Sequence, residues 1–321
     1  METLIGVGDA GERDTPTGAT LADWRLHELS AAEVAEMQYT DLVALMRETN
    51  RPPGGKRAVA ELARLIALRS DHGVLEIGST TGFTSLELAK LTGCRVDGID
   101  VSEKSVAEAE RRRALEPATI RDRVSFAVGD ATAIDAADGT YDVVVCGGAN
   151  SFIDEARRPK ALAEYRRVLK PYGFLSITNL FYAVEPPLDL VKRVSATIGT
   201  SLRPRGLEDW LEIYVDSSWE LFELRTWRMT SRSDSVLRQY IDSLFAQPHL
   251  AALAPDTLDA LHARWTSAME VFNENHRYLG TLMLVLRAEQ VDLPEQPELF
   301  LLEESYDRFF ERAIVGRTPD D

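Results

Sequence analysis

A chain of 321 residues, 45% hydrophobic and 27% charged, has room for one large α/β domain with additions or for two small domains. Its 36 Lys and Arg against 52 Asp and Glu leave a net charge of -16, a surface that repels polyanions and argues against nucleic acid as a partner. No apolar segment approaches the roughly 18 residues needed to cross a bilayer, residues 1–20 show no basic start followed by an apolar run, and Cys94 and Cys146 are too few for a disulfide framework, so a soluble, cytoplasmic protein with no membrane contact is expected.

Residues 1–20, rich in Gly, Thr, Asp and Glu, read as a flexible leader. Residues 21–56 read as helical, around Trp24 and through "SAAEVAEMQYTDLVALMRET", where Ser30 followed by Glu33 makes a capping-box pattern before "NRPPGGK" breaks the run. "RAVAELARLIALR" then repeats apolar residues at a helical period. From Gly73 short apolar strands alternate with helices: "GVLEIG", "RVDGIDV", "RVSFAVGD", "YDVVVCGG" and "GFLSITNL" are five strands in turn. A less regular insertion covers 182–218. "WELFELRTWRM" and "GTLMLVLRAE" add two late strands within 219–288 with helices between them, and the tail, 289–321, ends in an expected docked helix. The alternation predicts an α/β fold: a doubly wound, seven-stranded, mostly parallel sheet with helices on both faces.

In such a sheet a ligand sits at the carboxyl ends of the strands. "VLEIGSTTGFTSLELAK" places Glu76, Gly78, Ser79, Thr80 and Gly82 at the first of those ends, and the glycines let backbone approach a ligand closely. The dinucleotide pattern G-x-G-x-x-G is absent, since Ser79 and Thr80 follow Gly78. A carboxylate two residues before Gly78 repels a pyrophosphate and attracts an ammonium or sulfonium.

Together with Asp100 in "VDGIDVS", "GDA" at 129–131, "YDVVVCGGAN" and "YRRVLKPYGFLSIT", this loop resembles, in order and spacing, the class I S-adenosylmethionine-dependent methyltransferases of small-molecule type. The resemblance covers residues 57–179 and the last two strands. It implies a Rossmann-like core over 57–181 that binds S-adenosyl-L-methionine, an N-terminal helical lid and helical insertions. It further implies that Asp100, with Val101 beside it, takes the ribose hydroxyls, that Asp130 and Ala131 meet the adenine, and that Cys146 and Gly147 lie beneath the methionine part of the cofactor. Metal-dependent members carry acidic ligands at the end of the fourth strand. Here Cys146-Gly147-Gly148-Ala149-Asn150 stands there, and no metal is expected.

Methyl transfer is an in-line displacement that needs alignment and exclusion of water more than it needs a base. Three candidates stand on the catalytic side. Asn150 can hold the cofactor's amino acid part or a substrate group, or cap the following helix. Tyr182 follows the fifth strand, where its ring can face a sulfonium. Tyr39 lies on a helix expected to close over the site, or packs in the core. The expected activity is methyl transfer to a small-molecule acceptor, a metabolite or a natural-product intermediate of secondary metabolism. Two readings stay open beside it: cyclisation of the cofactor's aminobutyrate chain with release of methylthioadenosine, and non-catalytic binding of S-adenosylmethionine. The N-terminal helices and the apolar tail "PELFLL" can supply a homodimer interface as readily as a lid.

Overall fold

The computed structural model describes residues 25–215 and 219–288, so the expected leader and the tail with its docked helix lie outside the described residues. A 3-10 turn at Leu26–Glu28 precedes helices α1 (Ala31–Glu36), α2 (Tyr39–Leu45) and α3 (Gly55–Leu65). Ser30 caps α1 reciprocally: its hydroxyl accepts from the Glu33 N–H and the Glu33 carboxylate accepts from the Ser30 N–H. The single helical run read from the sequence is split, because Met37 and Gln38 take extended backbone with ψ of 139° and 149°.

There follow β1 (Gly73–Ile77), α4 (Phe83–Thr92), β2 (Arg95–Asp100), α5 (Glu103–Ala114), α6 (Ala118–Arg121), β3 (Val124–Val128), β4 (Tyr141–Cys146), α7 (Arg158–Val168) and β5 (Leu169–Tyr182). The insertion folds as α8 (Leu188–Ile198) and α9 (Leu207–Tyr214). Then come β6 (Glu220–Arg228), α10 (Asp234–Phe245), α11 (Pro255–Asn275) and β7 (Leu279–Arg287).

The sheet has the order β3-β2-β1-β4-β5-β7-β6, with β1 to β5 in parallel pairs and β7 antiparallel to β5 and β6. Strand order reverses between β1 and β4, which puts the ligand crevice at their carboxyl ends. Helices cover both faces. Leu282, Leu284 and Leu286 of β7 face the layer holding Tyr165 and Tyr214, while Met283 and Val285 face the layer holding Leu62 and Leu86. Burial on both sides is why this strand reads as continuous apolar sequence without alternation. Pro171 and Gly173, in "YRRVLKPYGFLSIT", flank an irregularity inside β5, with a register shift against β4 and Tyr172 at φ +60°. A side chain at Gly173 would stand 2.9 Å from the Lys170 carbonyl oxygen and 3.0 Å from that of Asp142.

A third apolar cluster lies apart from the sheet. Val34, Leu42, Leu45 and Met46 pack with Ile241, Leu250, Leu261 and Trp265, so α1 and α2 are held by the segment between β6 and β7. Each such side chain contributes about 1.5–3 kcal/mol on burial. Among the described residues no helix is long and apolar enough to cross a membrane.

Candidate active site

The chain leaves β1 through Gly78 (φ +70°), Thr80 (φ +46°) and Gly82 (φ +81°) before entering α4. A Cβ at Gly78 would collide with Ala149 Cβ, so the turn after β4 packs directly on this loop. Thr80 holds a conformation that disfavours side chains, and Asp100 supports it. The Thr80 N–H donates to Asp100 Oδ2 at 3.0 Å and the Ser102 N–H to Oδ1 at 2.9 Å. Burial pushes the Asp100 carboxyl above its ordinary range. Beside it, Val101 is 72% exposed, and Val128 at the end of β3 is 53% exposed, two apolar faces open at the strand ends.

Glu76 lies on the opposite side of β1 from the Tyr165 layer, at the start of α4. Its carboxylate accepts from the Ser85 N–H at 2.9 Å and from the Ser85 hydroxyl. Burial pushes the Glu76 carboxyl up to about 7, against the opposing pull of these hydrogen bonds. Ser79 Oγ, in the loop, is buried without a partner.

At the end of β4 the positions where Gly147 and Gly148 would carry Cβ atoms are open. The Cys146 side chain faces the core, with Sγ 3.9 Å from Tyr165 Oη, and burial pushes its thiol up to about 12. Only its backbone is left to face a ligand. Asn150 sits in the 3-10 turn Gly148–Ser151 and caps no helix, since α7 begins later with Arg157 as its N-cap. Its Oδ1 accepts from the Tyr165 hydroxyl at 3.1 Å, and its Nδ2 is buried without a partner. Asp130 accepts from the Thr132 N–H and hydroxyl, each at 2.9 Å, and pairs with Arg157, which together hold its carboxyl below the ordinary range. The Ala131 side chain is in the core.

The structure brings Tyr39 and Tyr182 to one face of α11, three residues apart. Tyr39 meets Phe272 edge to face, ring centroids 5.3 Å apart, and the Tyr182 hydroxyl donates to Asn275 Oδ1 at 3.2 Å. Burial drives both phenols above their ordinary range. By the strand register Tyr182 does not reach the loop after β1. Cys146 pairs with Ile177, and Tyr182 comes five residues later, roughly 16 Å further along at about 3.3 Å per residue.

α2 and the segment after it are fastened to the loops at the carboxyl ends of β2 and β1. Asp41 accepts from the Ser102 hydroxyl at 2.9 Å and pairs with Lys104 at 3.1 Å, beside Asp100. The Thr81 hydroxyl, in the loop after β1, donates to the Glu48 carbonyl at 2.9 Å. Asp41, Asn179, Tyr214 and the α11 face were not found by sequence reasoning; only Ser102, in "IDVSEKS", carried a signal, as a helix cap that it also forms. Among the described residues no group of three or more His, Cys, Asp or Glu could hold a metal ion.

Residues 74–173 match the family described as a methyltransferase domain. Methyltransferase GfsG of Streptomyces halstedii is 32% identical over 174 residues, 53% of this chain and 60% of that protein. The family model over residues 74–173 and this relative support a class I S-adenosylmethionine-dependent methyltransferase family for this chain. The 27-O-demethylrifamycin SV methyltransferase of Amycolatopsis mediterranei is 30% identical over 130 residues, and the match spans 40% of this chain and 46% of that relative. Among solved structures, that of the MccD protein aligns with a TM-score of 0.63 at 24% identity, covering 75% of this chain and 100% of that one, a likeness of fold.

The cofactor that this family resemblance supports is S-adenosyl-L-methionine. The crevice fits it chemically: bare glycine backbone at 147–148, a buried carboxylate at Asp100 beside an exposed valine, and Glu76 at the loop give the nonpolar, diol-accepting and anionic surroundings that a nucleoside with a cationic tail requires.

Proposed function

We propose that this methyltransferase acts on a small-molecule acceptor, an intermediate of natural-product or related metabolism. The observation that carries the reading is the cover: Asp41 on Ser102 and Thr81 on Glu48 bind α2 and its following segment over the cofactor loop, leaving a crevice roofed by the chain's own helices. The relative whose name specifies a rifamycin acceptor supports the same class.

S-adenosylmethionine, when bound, supplies a methyl group activated on a sulfonium. The residues of this chain then bind, orient and exclude water. The backbone of Gly78, Ser79, Thr80 and Gly82 approaches the cofactor, and Asp100, already holding the loop through Thr80, accepts the ribose hydroxyls. Val101 offers an apolar wall to the adenine, with Asp130 and the backbone at Ala131 at its edge. Gly147 gives the floor beneath the amino acid part, and Glu76 supplies negative charge near it. Asn150 fixes the turn that carries this floor. Tyr39 belongs to the roof, which excludes water, and Tyr182 to the outer wall where the acceptor enters.

The test is the nucleoside product. Purified protein is incubated with S-adenosylmethionine alone and with candidate acceptors. Adenosylhomocysteine formed only with an acceptor, together with an acceptor heavier by one methylene, is the expected result. Methylthioadenosine formed without an acceptor would replace methyl transfer by cyclisation, and tight binding without turnover on any acceptor would point to a binding protein.

A further inference from the structure

The chain leaves α2 through a turn whose carbonyls are all accounted for. Three accept from the backbone that follows: the Met46 N–H donates to the Leu42 carbonyl at 2.9 Å, the Glu48 N–H to Val43 at 3.1 Å and the Arg47 N–H to Ala44 at 3.0 Å. The last two bonds are the crossed pair that ends many helices, where the reversing residue is usually glycine. Here it is Arg47, at φ +47°, a conformation that disfavours side chains and persists only where the surroundings impose it.

The next four carbonyls in a row each accept from a side chain. His249 Nε2 lies 2.9 Å from the Leu45 carbonyl, Gln247 Nε2 donates to Met46 at 2.8 Å, Arg112 Nη2 to Arg47 at 2.7 Å, and the Thr81 hydroxyl to Glu48 at 2.9 Å. A carbonyl only accepts, so the Leu45 contact places a proton on His249 Nε2. The donors come from three places far apart in sequence. Gln247 and His249 stand at the 3-10 turn Pro248–Ala252 between α10 and α11. Arg112 is on α5, where its Nε also donates to Glu108 at 3.0 Å. Thr81 is fully buried in the loop after β1, next to Thr80, whose N–H is held by Asp100. Helix ends ordinarily leave such carbonyls to water or to one cap. Four fixed acceptors on consecutive residues leave the backbone between them few ways to move independently.

We propose that residues 45–48 are a strut between the loop after β1 and the helical cover, with Thr81, Arg112, Gln247 and His249 as its positioning residues: when S-adenosylmethionine orders that loop, the strut firms α2 and the turn at 248–252 as well. The inference rests on the cofactor lying over the loop after β1. It makes the cover respond to the cofactor, so that the acceptor side of the crevice firms once the methyl donor is in place.

The test is hydrogen exchange, with and without S-adenosylhomocysteine, on the full chain of wild type, Thr81→Val and Thr81→Ser. Valine keeps the shape of threonine and removes the donor; serine keeps the donor. Calorimetry first sets the ligand concentration that saturates each protein. In wild type the ligand is expected to slow exchange at least about fivefold at 78–82, in α2 and at 247–253. In Thr81→Val the slowing at 78–82 persists while that in α2 and at 247–253 falls below about twofold, and Thr81→Ser restores it. Slowing in wild type confined to 78–82, slowing of α2 and 247–253 that survives Thr81→Val, or a serine variant that behaves as the valine one does, overturns the inference. Should Thr81→Val not fold, Thr81→Ala makes the same cut with the same expectation. Wild-type protein that binds no S-adenosylhomocysteine would instead sink the cofactor seat on which the inference rests.

Discussion

Glu76 is expected to make cofactor affinity depend on pH. Its carboxyl, raised to about 7 by burial, is partly protonated near neutrality in the free protein. A cationic ligand near it favours the carboxylate, which lowers the pKa in the complex, so binding releases a proton between the two values. The sign follows: affinity is full above about pH 7 and falls as pH drops below it, because protons then compete with the ligand. In the limiting case the loss approaches tenfold per pH unit, or about fiftyfold from pH 7 to pH 5. Calorimetric titration with S-adenosylhomocysteine from pH 5 to pH 8, in two buffers of different ionisation enthalpy, measures both the slope and the protons released. Glu76→Gln keeps an acceptor for Ser85 but removes the titration, so its profile should be flatter and its affinity at pH 8 lower than wild type. Burial raises the Asp100 carboxyl as well, and the glutamine variant isolates what remains of its contribution. A wild-type affinity constant across the range, with no proton released at pH 6, would refute the reasoning.

Two further outcomes follow from the packing. Gly78→Ala forces a side chain into a left-handed conformation, at about 1–2 kcal/mol, and against Ala149; the melting temperature should fall by roughly 2–8 °C and cofactor binding should weaken further than Gly139→Ala, at an open surface position, weakens it. Trp265, fully buried in the cluster that joins α1 and α2 to α11, should cost roughly 3–5 kcal/mol on replacement by alanine. Hydrogen exchange should then show α1 and α2 losing protection before β1 and β4, and equal loss everywhere would mean that the cluster and the sheet unfold as one.

The sheet was legible because its evidence is local. Each parallel strand is a short apolar run, and the glycines at 78 and 82 mark a turn that only a few conformations allow. The capping pair Ser30 and Glu33 was legible for the same reason. The break at Met37 and Gln38 was not, since neither residue carries a turn or capping signal and the apolar period runs straight through. Tyr182 was placed from its position after a strand, but β5 runs past the end of β4, and the length of a strand beyond its neighbour is decided by pairing with β7. The hidden part of the site consists of contacts made across long stretches of chain. Asp41 meets Ser102, Asn179 meets Tyr214, and Phe272 meets Tyr39, none of them adjacent in any motif. Arg111, Arg112 and Arg113 close α5, where Arg111 and Arg112 pair with Glu108 and Arg113 with Glu110.

Asp100→Ala tests most directly whether the cofactor lies over the β1 loop with its ribose on Asp100. The substitution removes the carboxylate that orders Thr80 and that would accept the diol, where hydrogen bonds to a charged group contribute about 1.5–3 kcal/mol each. Calorimetry at pH 8 should show S-adenosylhomocysteine affinity reduced at least roughly tenfold, with the protein still folded by circular dichroism. A folded Asp100→Ala variant that binds within twofold of wild type would contradict the account.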